Sequence, residues 1–440
     1  VKKIFALFFV LLFMPHAMFG MTEIRDTEIE SVLYELVNPL AQAAGMDEGR
    51  LHIRIIGDDD FNAFVAGGED VFVNTGLIAR VESPHAFQAV IAHEMGHMVG
   101  GHIAQMSVRM AAEMKRSLIV QALGIALVAA NPMAGMGVVA GAGGMSRQSL
   151  LAFSRDEERM ADALGIDLML KAGLDPEGFL LVIKQMNDMM SAMESRANPN
   201  NARHPFTDER IKNAREKIAG ASYDKKAATT SRKKLVNEYA MIRAKIIGYL
   251  SPSATVIAIY PQKDTSNPAL YARAIAAMRI GNLESAKTGT LTLIKRLPEN
   301  PFFYELLGDI EYQSGRYDDS IAAYEKSLEL LRPICNRFCN MAQIQTAIGL
   351  ALIERNKPGD ADRSVEAAKR ALLESRLPLA FWVLSRAENV RGNAGVADWA
   401  MAEYYAVTRQ DKKSREFARR AQRKLPKDSP EYIKAGDLLK

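Results

Sequence analysis

Between residues 22 and 45 apolar side chains return at Ile29, Val32, Leu33, Leu36, Val37 and Leu40, the spacing of a helix with one buried face. Asn38-Pro39 predicts a kink within it. The period then changes. Leu51-His52-Ile53-Arg54-Ile55-Ile56 alternates and runs into Gly57-Asp58-Asp59-Asp60, a strand followed by a turn. Val71-Phe72-Val73, entered through Gly67-Gly68, predicts a second strand. From Pro84 to about Lys115 the helical spacing resumes. Residues 118–144 carry no charge, but Asn131-Pro132 breaks them midway and the second half is rich in glycine. Two short apolar arms around a break fit a hairpin, a lid or an interfacial segment better than a spanning helix. A buried hairpin and a membrane contact stand level on this pattern.

The second half of the chain has another character. Residues 221–234 are polar and charged, as a solvated connector is. Beyond about residue 263, Gly281 and Gly315 lie 34 apart, as do Ala286 and Ser320. That period signals stacked helix-turn-helix units. The unit beginning at Pro301 is the clearest, with Tyr304, Leu307, Gly308, Gly315, Tyr317, Ser320, Tyr324 and Ser327. Small residues let helices approach, and tyrosines fill the gaps. The unit resembles the tetratricopeptide repeat, although its eleventh position is Glu311 rather than a large aromatic. Weaker units are expected over Asn340–Pro378 and Leu379–Pro426. Such an array presents a concave surface to a protein partner.

Composition narrows the class. The 440 residues are 48% hydrophobic and 25% charged, ordinary for two or three globular domains. A formal charge of +4 argues against a dedicated nucleic-acid binder. Lys2 and Lys3, the apolar run Ile4–Met14, then Pro15, Ala17 and Gly20 read as an export signal over residues 1–20. The run is too short to span a bilayer. In an oxidising compartment Cys335 and Cys339 are expected to close a local disulfide, with buried free thiols the alternative.

The chemistry is concentrated in Val90-Ile91-Ala92-His93-Glu94-Met95-Gly96-His97-Met98-Val99. On a helix His93 and His97 share a face and can hold one metal ion, while Glu94 points to where a base acting on water must sit. Zinc suits two imidazoles and a carboxylate with a fourth position left for water. His102 falls two residues after Gly100, one short of the spacing that brings a third histidine to the metal. On a continuing helix it would face away from His93. A better source of the third ligand is Ser154-Arg155-Asp156-Glu157-Glu158-Arg159-Met160-Ala161-Asp162. A second helix here offers a carboxylate to the metal and another one turn later to orient a ligating histidine.

H-E-x-x-H followed about sixty residues later by S-R-x-x-E-x-x-A-D resembles the M48 zinc metallopeptidases of the gluzincin type. Asn62-Ala63-Phe64, Gly76-Leu77, His204-Pro205 and Arg210 extend the match. The resemblance implies a mostly helical (α+β) metallopeptidase domain with a small β-sheet over residues 21–262, followed by an α-solenoid of tetratricopeptide repeats over 263–440. It implies one zinc ion per chain on His93, His97 and Glu158, with Glu94 as general base and Asp162 behind the ligands. His204 is expected to approach the site, as a donor to the oxyanion or as a fourth ligand.

With an export signal in front and repeats behind, the chain looks like the periplasmic members of that family that act in outer-membrane protein quality control. The expected activity is that of an exported metalloendopeptidase. Its expected substrates are unfolded or misassembled outer-membrane proteins, and the barrel-assembly machinery is the expected partner of the repeats. Substrate backbone is expected to pair with Val71-Phe72-Val73 by edge addition. Residues 118–144 are expected to act as a lid or a peripheral membrane contact. The alternative is a repeat-based periplasmic chaperone or adaptor with latent proteolysis.

Overall fold

The computed structural model describes residues 16–18, 21–47, 49–66, 69–102, 105, 154–193, 208–223, 233–334 and 340–440. The export signal (apart from the strand His16–Met18), the segment 118–144, most of the connector 221–234, His204, Cys335 and Cys339 lie outside the described residues. Among those described, one compact unit takes 21–23 and 32–240, and the other takes 16–18, 24–31 and 241–440.

The first unit sets a small sheet against helices. Its strands are β1 (Met21–Ile24), β2 (His52–Ile56), β3 (Ala63–Ala66) and β4 (Asp70–Asn74). They lie in the order β1-β2-β4-β3. β2 runs parallel to β4 with Ile53 opposite Val71. β3 runs antiparallel to β4 with Phe64 opposite Phe72, their rings stacked at 4.9 Å. The strand expected to add substrate at its edge is therefore interior. Its run of three apolar residues is the mark of a strand covered on both faces, and Val71 and Val73 are fully buried. β3 is one of the sheet's two edge strands among the described residues.

The helices of this unit are α1 (Thr27–Ala43), whose first residues count with the second unit, α2 (Thr75–Arg80), α3 (Pro84–Val99), α4 (Arg155–Lys171), α5 (Gly178–Met193) and α6 (Asp208–Ala219). α3 starts cleanly, with Pro84 in its first turn and the Ser83 hydroxyl accepting from the His85 N–H at 3.2 Å. It is buried almost all round from Pro84 to His97, so it is the central helix of the unit. α7 (Lys233–Leu250) leads into the second unit.

The second unit is a stack of helix pairs. After α8 (Ser253–Ile259) come α9 (Asn267–Arg279) with α10 (Leu283–Arg296), and α11 (Pro301–Gln313) with α12 (Tyr317–Leu331). α13 (Ala342–Arg355) pairs with α14 (Asp360–Glu374), and α15 (Pro378–Val390) with α16 (Ala394–Val407). α17 (Asp411–Lys424) and α18 (Pro430–Asp437) end the stack. No helix among the described residues is long and apolar enough to cross a membrane.

The 34-residue period has a direct physical basis. Gly281 and Gly315 both take positive φ, +79° and +72°, in the turn between paired helices, a conformation that costs other residues dearly. A Cβ on Gly308 would meet the Tyr324 ring at 2.5 Å, and the Ser320 hydroxyl donates to the Gly308 carbonyl at 2.9 Å. Glu311, standing where a large aromatic is usual, is buried and held by Lys287 at 2.7 Å and by Arg316.

Within this unit one buried ammonium, Lys245, meets Asp26 at 2.8 Å and Glu28 at 3.1 Å, with Glu305 and Asp309 close by. Tyr271 donates to Glu28 at 2.9 Å and Tyr324 to Asp309 at 2.6 Å. Acids outnumber the cation, and burial raises Glu28, Glu305 and Asp309. Asp309 is pushed up to about 6 despite the Tyr324 bond and Lys245. A carboxyl raised on folding adds stability that is complete below its unfolded value and fades as pH rises through the folded one. Between pH 5 and 7.5 the repeat unit should thus lose stability as pH rises. Asp309→Asn keeps an acceptor for Tyr324 without the charge. Calorimetry should show its Tm several degrees above wild type at pH 7.5 and a shallower dependence on pH; an unchanged slope would remove Asp309 as a cause.

Candidate metal centre

The site forms where α3 and α4 cross. Residues 92 and 96 on α3 face 165 and 161 on α4. A Cβ on Gly96 would lie 2.3 Å from the Ala161 carbonyl oxygen, and one on Gly165 would lie 2.8 Å from that of Ala92. Stepping one turn back on α3 matches one turn forward on α4, so the helices run antiparallel with their backbones touching. Nothing larger than glycine fits at these two positions without parting them.

That crossing gathers His93, His97 and Glu158, whose ligand atoms all lie within 4.8 Å of one another. His93 Nε2 is 3.2 Å from His97 Nε2. Glu158 Oε2 is 3.5 Å from His93 Nε2, and its Oε1 is 3.3 Å from His97 Nε2. All three side chains are buried. The neighbouring Glu157 is used otherwise: it closes the N-terminus of α4, accepting from the Ser154 N–H at 2.8 Å while Ser154 accepts from its own N–H at 3.2 Å. This reciprocal cap leaves Glu158 as the acid facing the histidines.

Behind the trio lies a second layer of bonds. Asp162 Oδ1 is 2.9 Å from His93 Nδ1, so the imidazole proton on Nδ1 donates to the carboxylate and Nε2 presents its lone pair. Arg210, from α6, grips Asp162 through Nε at 2.7 Å and a second nitrogen at 2.8 Å, and meets Glu158 Oε2 at 2.6 Å. Burial lowers the His93 pKa more than its acidic neighbours raise it, which keeps the ring neutral, as a ligand must be. Burial pushes Asp162 up, but its bonds to Arg210 and His93 outweigh that and hold it below the usual carboxylate range.

Glu94 is buried at 5% exposure. It lines, with His93, Asp162 and Arg210, a cavity of about 60 Å³ whose other wall includes Leu77, Val90, Phe179 and Ile183. Asn62 and Ala63 at the start of the edge strand also border it. The structure therefore brings His93, Glu94, His97, Glu158 and Asp162 together, and His204 lies outside the described residues.

Two residues acquire roles that sequence reasoning does not assign. Arg210 enters the sequence reading only as part of a motif match. His102 is set aside there because a continuing helix would turn it away. The helix stops instead: Gly100 caps it, Gly101 takes φ +71°, and His102 returns with its Nδ1 3.1 Å from His97 Nδ1. Its Nε2 lies 3.3 Å from Met160 Sδ. One tautomer satisfies this chain of contacts. His97 donates from Nδ1 to His102, His102 donates from Nε2 to sulfur, and His97 Nε2 stays free to ligate. The two adjacent glycines are the signal that could have shown it.

Comparison with known proteins follows the same residues. The Peptidase family M48 model matches residues 23–218. Over that stretch the chain is similar to Peptidase family M48. Over 321 residues it is 24% identical to the beta-barrel assembly-enhancing protease of Escherichia coli (strain K12), covering 70% of this chain and 63% of that protein. The Yersinia pestis protein of that name is 24% identical over 319 residues, 69% of this chain and 63% of its own length. The chain thus spans a little under two thirds of these relatives. The mitochondrial metalloendopeptidase OMA1 of Schizosaccharomyces pombe is 29% identical over 173 residues, 39% of this chain and 48% of that one. A thermophilic TPR protein of Thermus thermophilus superposes with a TM-score of 0.27 at 17% identity, over 46% of this chain and 94% of that one.

Two substitutions test this construction. Gly96→Ala should part α3 and α4 and weaken metal binding at least tenfold in a chelator competition, with a lower Tm from overpacking; unchanged affinity would show the crossing to be slack. His102→Ala should weaken metal binding about 10- to 100-fold by freeing His97 to rotate, without unfolding the chain.

Proposed function

We propose that the protein is a zinc metalloendopeptidase that cleaves unfolded or misassembled outer-membrane proteins in the periplasm. The observation that carries the metal assignment is the set of separations between the three ligand groups, 3.2, 3.3 and 3.5 Å. Tetrahedral bonds of about 2.0–2.1 Å place neighbouring ligand atoms about 3.3 Å apart. Two imidazoles and one carboxylate are also the donor set of a catalytic zinc that keeps one position open. His93, His97 and Glu158 would hold the ion, with His102 and Asp162 fixing the two rings. Bound there, zinc would supply Lewis acidity and lower the pKa of a water.

The chain's own groups account for the remaining work. Glu94, buried beside His93 at the cavity wall, takes a proton from the attacking water and delivers it to the leaving amine. An extended substrate pairs with β3, an edge strand among the described residues whose first residue borders the cavity. One apolar side chain of the substrate enters among Leu77, Val90 and Phe179. Edge pairing reads backbone rather than sequence, so it favours chains whose strands are still unpaired, as those of an unclosed barrel are. The repeat unit supplies a surface for a protein partner, the barrel-assembly machinery by analogy with the relatives' name.

Glu94→Gln tests the reading. Cleavage of an unfolded β-barrel protein should fall by about 10³-fold or more while zinc stoichiometry stays near one per chain. Glu158→Gln should lose the metal, measured by atomic emission on the purified protein. If the cellular role survives Glu94→Gln in full, the repeat-based chaperone or adaptor reading replaces this one.

A further inference from the structure

Charge is spread unevenly along this chain. Residues 409–440 hold eleven Lys and Arg against five Asp and Glu, while the whole chain carries only a formal +4. The rest of the molecule is therefore slightly acidic, and the excess is gathered on α17 and its flanks.

α17 buries Ser414, Ala418 and Ala421 against the stack. The cations on one flank are used inside the fold. Arg420 and Lys424 both reach Asp398, at 2.8 and 2.6 Å, and Lys413 and Arg420 lie over the rings of Tyr405 and Phe417. Lys412, Arg415, Arg419 and Arg423 are different. They follow one another at intervals of three, four and four residues. On a helix that spacing confines them to a sector about 80° wide and about 16 Å long. All four are exposed, and none of them pairs with an acid among the described residues. Glu416 sits at the border of the sector towards Arg420, leaving it a net +3, and Lys427 continues the charge beyond the helix end.

We propose that this face of α17 docks the protein on a bilayer surface rich in anionic phospholipid. Four cations held in line at fixed height suit a plane of mobile phosphates, and arginine forks pair with phosphate oxygens in two-point fashion. A folded protein partner would require something else. Such interfaces are anchored by aromatic and aliphatic side chains in pockets, and no apolar side chain stands among these four. Adsorption on anionic lipid needs only charge, each Lys or Arg adding about fivefold in affinity near the surface. The contact uses neither the metal centre nor the edge strand, so it is independent of the proteolytic reading.

Co-sedimentation of the full-length protein with vesicles tests it, using phosphatidylcholine alone and phosphatidylcholine with 30 mol% phosphatidylglycerol (about the anionic fraction that gives a strong surface potential). Binding is expected on the anionic vesicles only, and to be lost between 50 and 300 mM salt (about a 2.5-fold shorter screening length). Arg415→Gln/Arg419→Gln/Arg423→Gln should weaken it about a hundredfold. A control of equal charge change on other exposed positions, Arg332→Gln/Lys369→Gln/Arg386→Gln, should alter it less than about twofold. Matching thermal melts would show that both variants fold. The proposal is overturned if the α17 variant binds as wild type does, if neutral vesicles bind equally, or if only an acidic protein or a nucleic acid is captured.

Discussion

The candidate metal centre rests on one steric condition, the contact of two helix backbones. Glu158 reaches His93 and His97 only because α4 lies directly on α3, and it lies there because positions 96 and 165 lack a Cβ. Each glycine faces a main-chain carbonyl, which cannot rotate aside as a side chain could. The ligand groups stand within about two turns of those contacts on both helices, so a small separation of the axes acts almost undiminished on the ligand distances. Interiors packed at crystal-like density transmit such strain rather than absorbing it.

Electrostatics then completes what packing begins. Among the described residues, Glu94, Glu158 and Asp162 sit beside a single guanidinium, Arg210, in a buried setting. Counted as charged, these groups sum to −2, the complement of a divalent cation. Arg210 bridges both acids of α4 from a third helix, so it fixes the carboxylates relative to each other as well as offsetting their charge. His93 and His97 are each held through Nδ1, one by a carboxylate and one by an imidazole. The two rings thereby present the same nitrogen to a common point. The second unit gathers a larger excess, four acids around one lysine, and there burial raises Glu28, Glu305 and Asp309.

Much of this is readable along the chain. The 34-residue spacing of Gly281 and Gly315 corresponds to helices that begin 34 apart, at 267 and 301 and again at 283 and 317. The reading fails where a local pattern has several tertiary outcomes. Val71-Phe72-Val73 is recognisable as a strand, but nothing local says that β2 and β3 occupy both its edges. Extrapolating a helix past Gly100-Gly101 misplaces His102, because a single left-handed residue reverses its direction. Glu157 and Glu158 cannot be separated by spacing alone; the cap at Ser154 distinguishes them.

Local chemistry along the chain is enough for the periodicities, for the paired histidines one turn apart, and for the type of ion such donors attract. These follow from bond geometry and side-chain character within a few residues, which no distant contact can alter. Packing settles the rest: which acid meets the histidines, which strand lies inside the sheet and which at its edge, and that Arg210 and His102 support the site. Those facts depend on groups up to about 120 residues apart meeting in space, and such a meeting is set by the whole unit rather than by any segment of it.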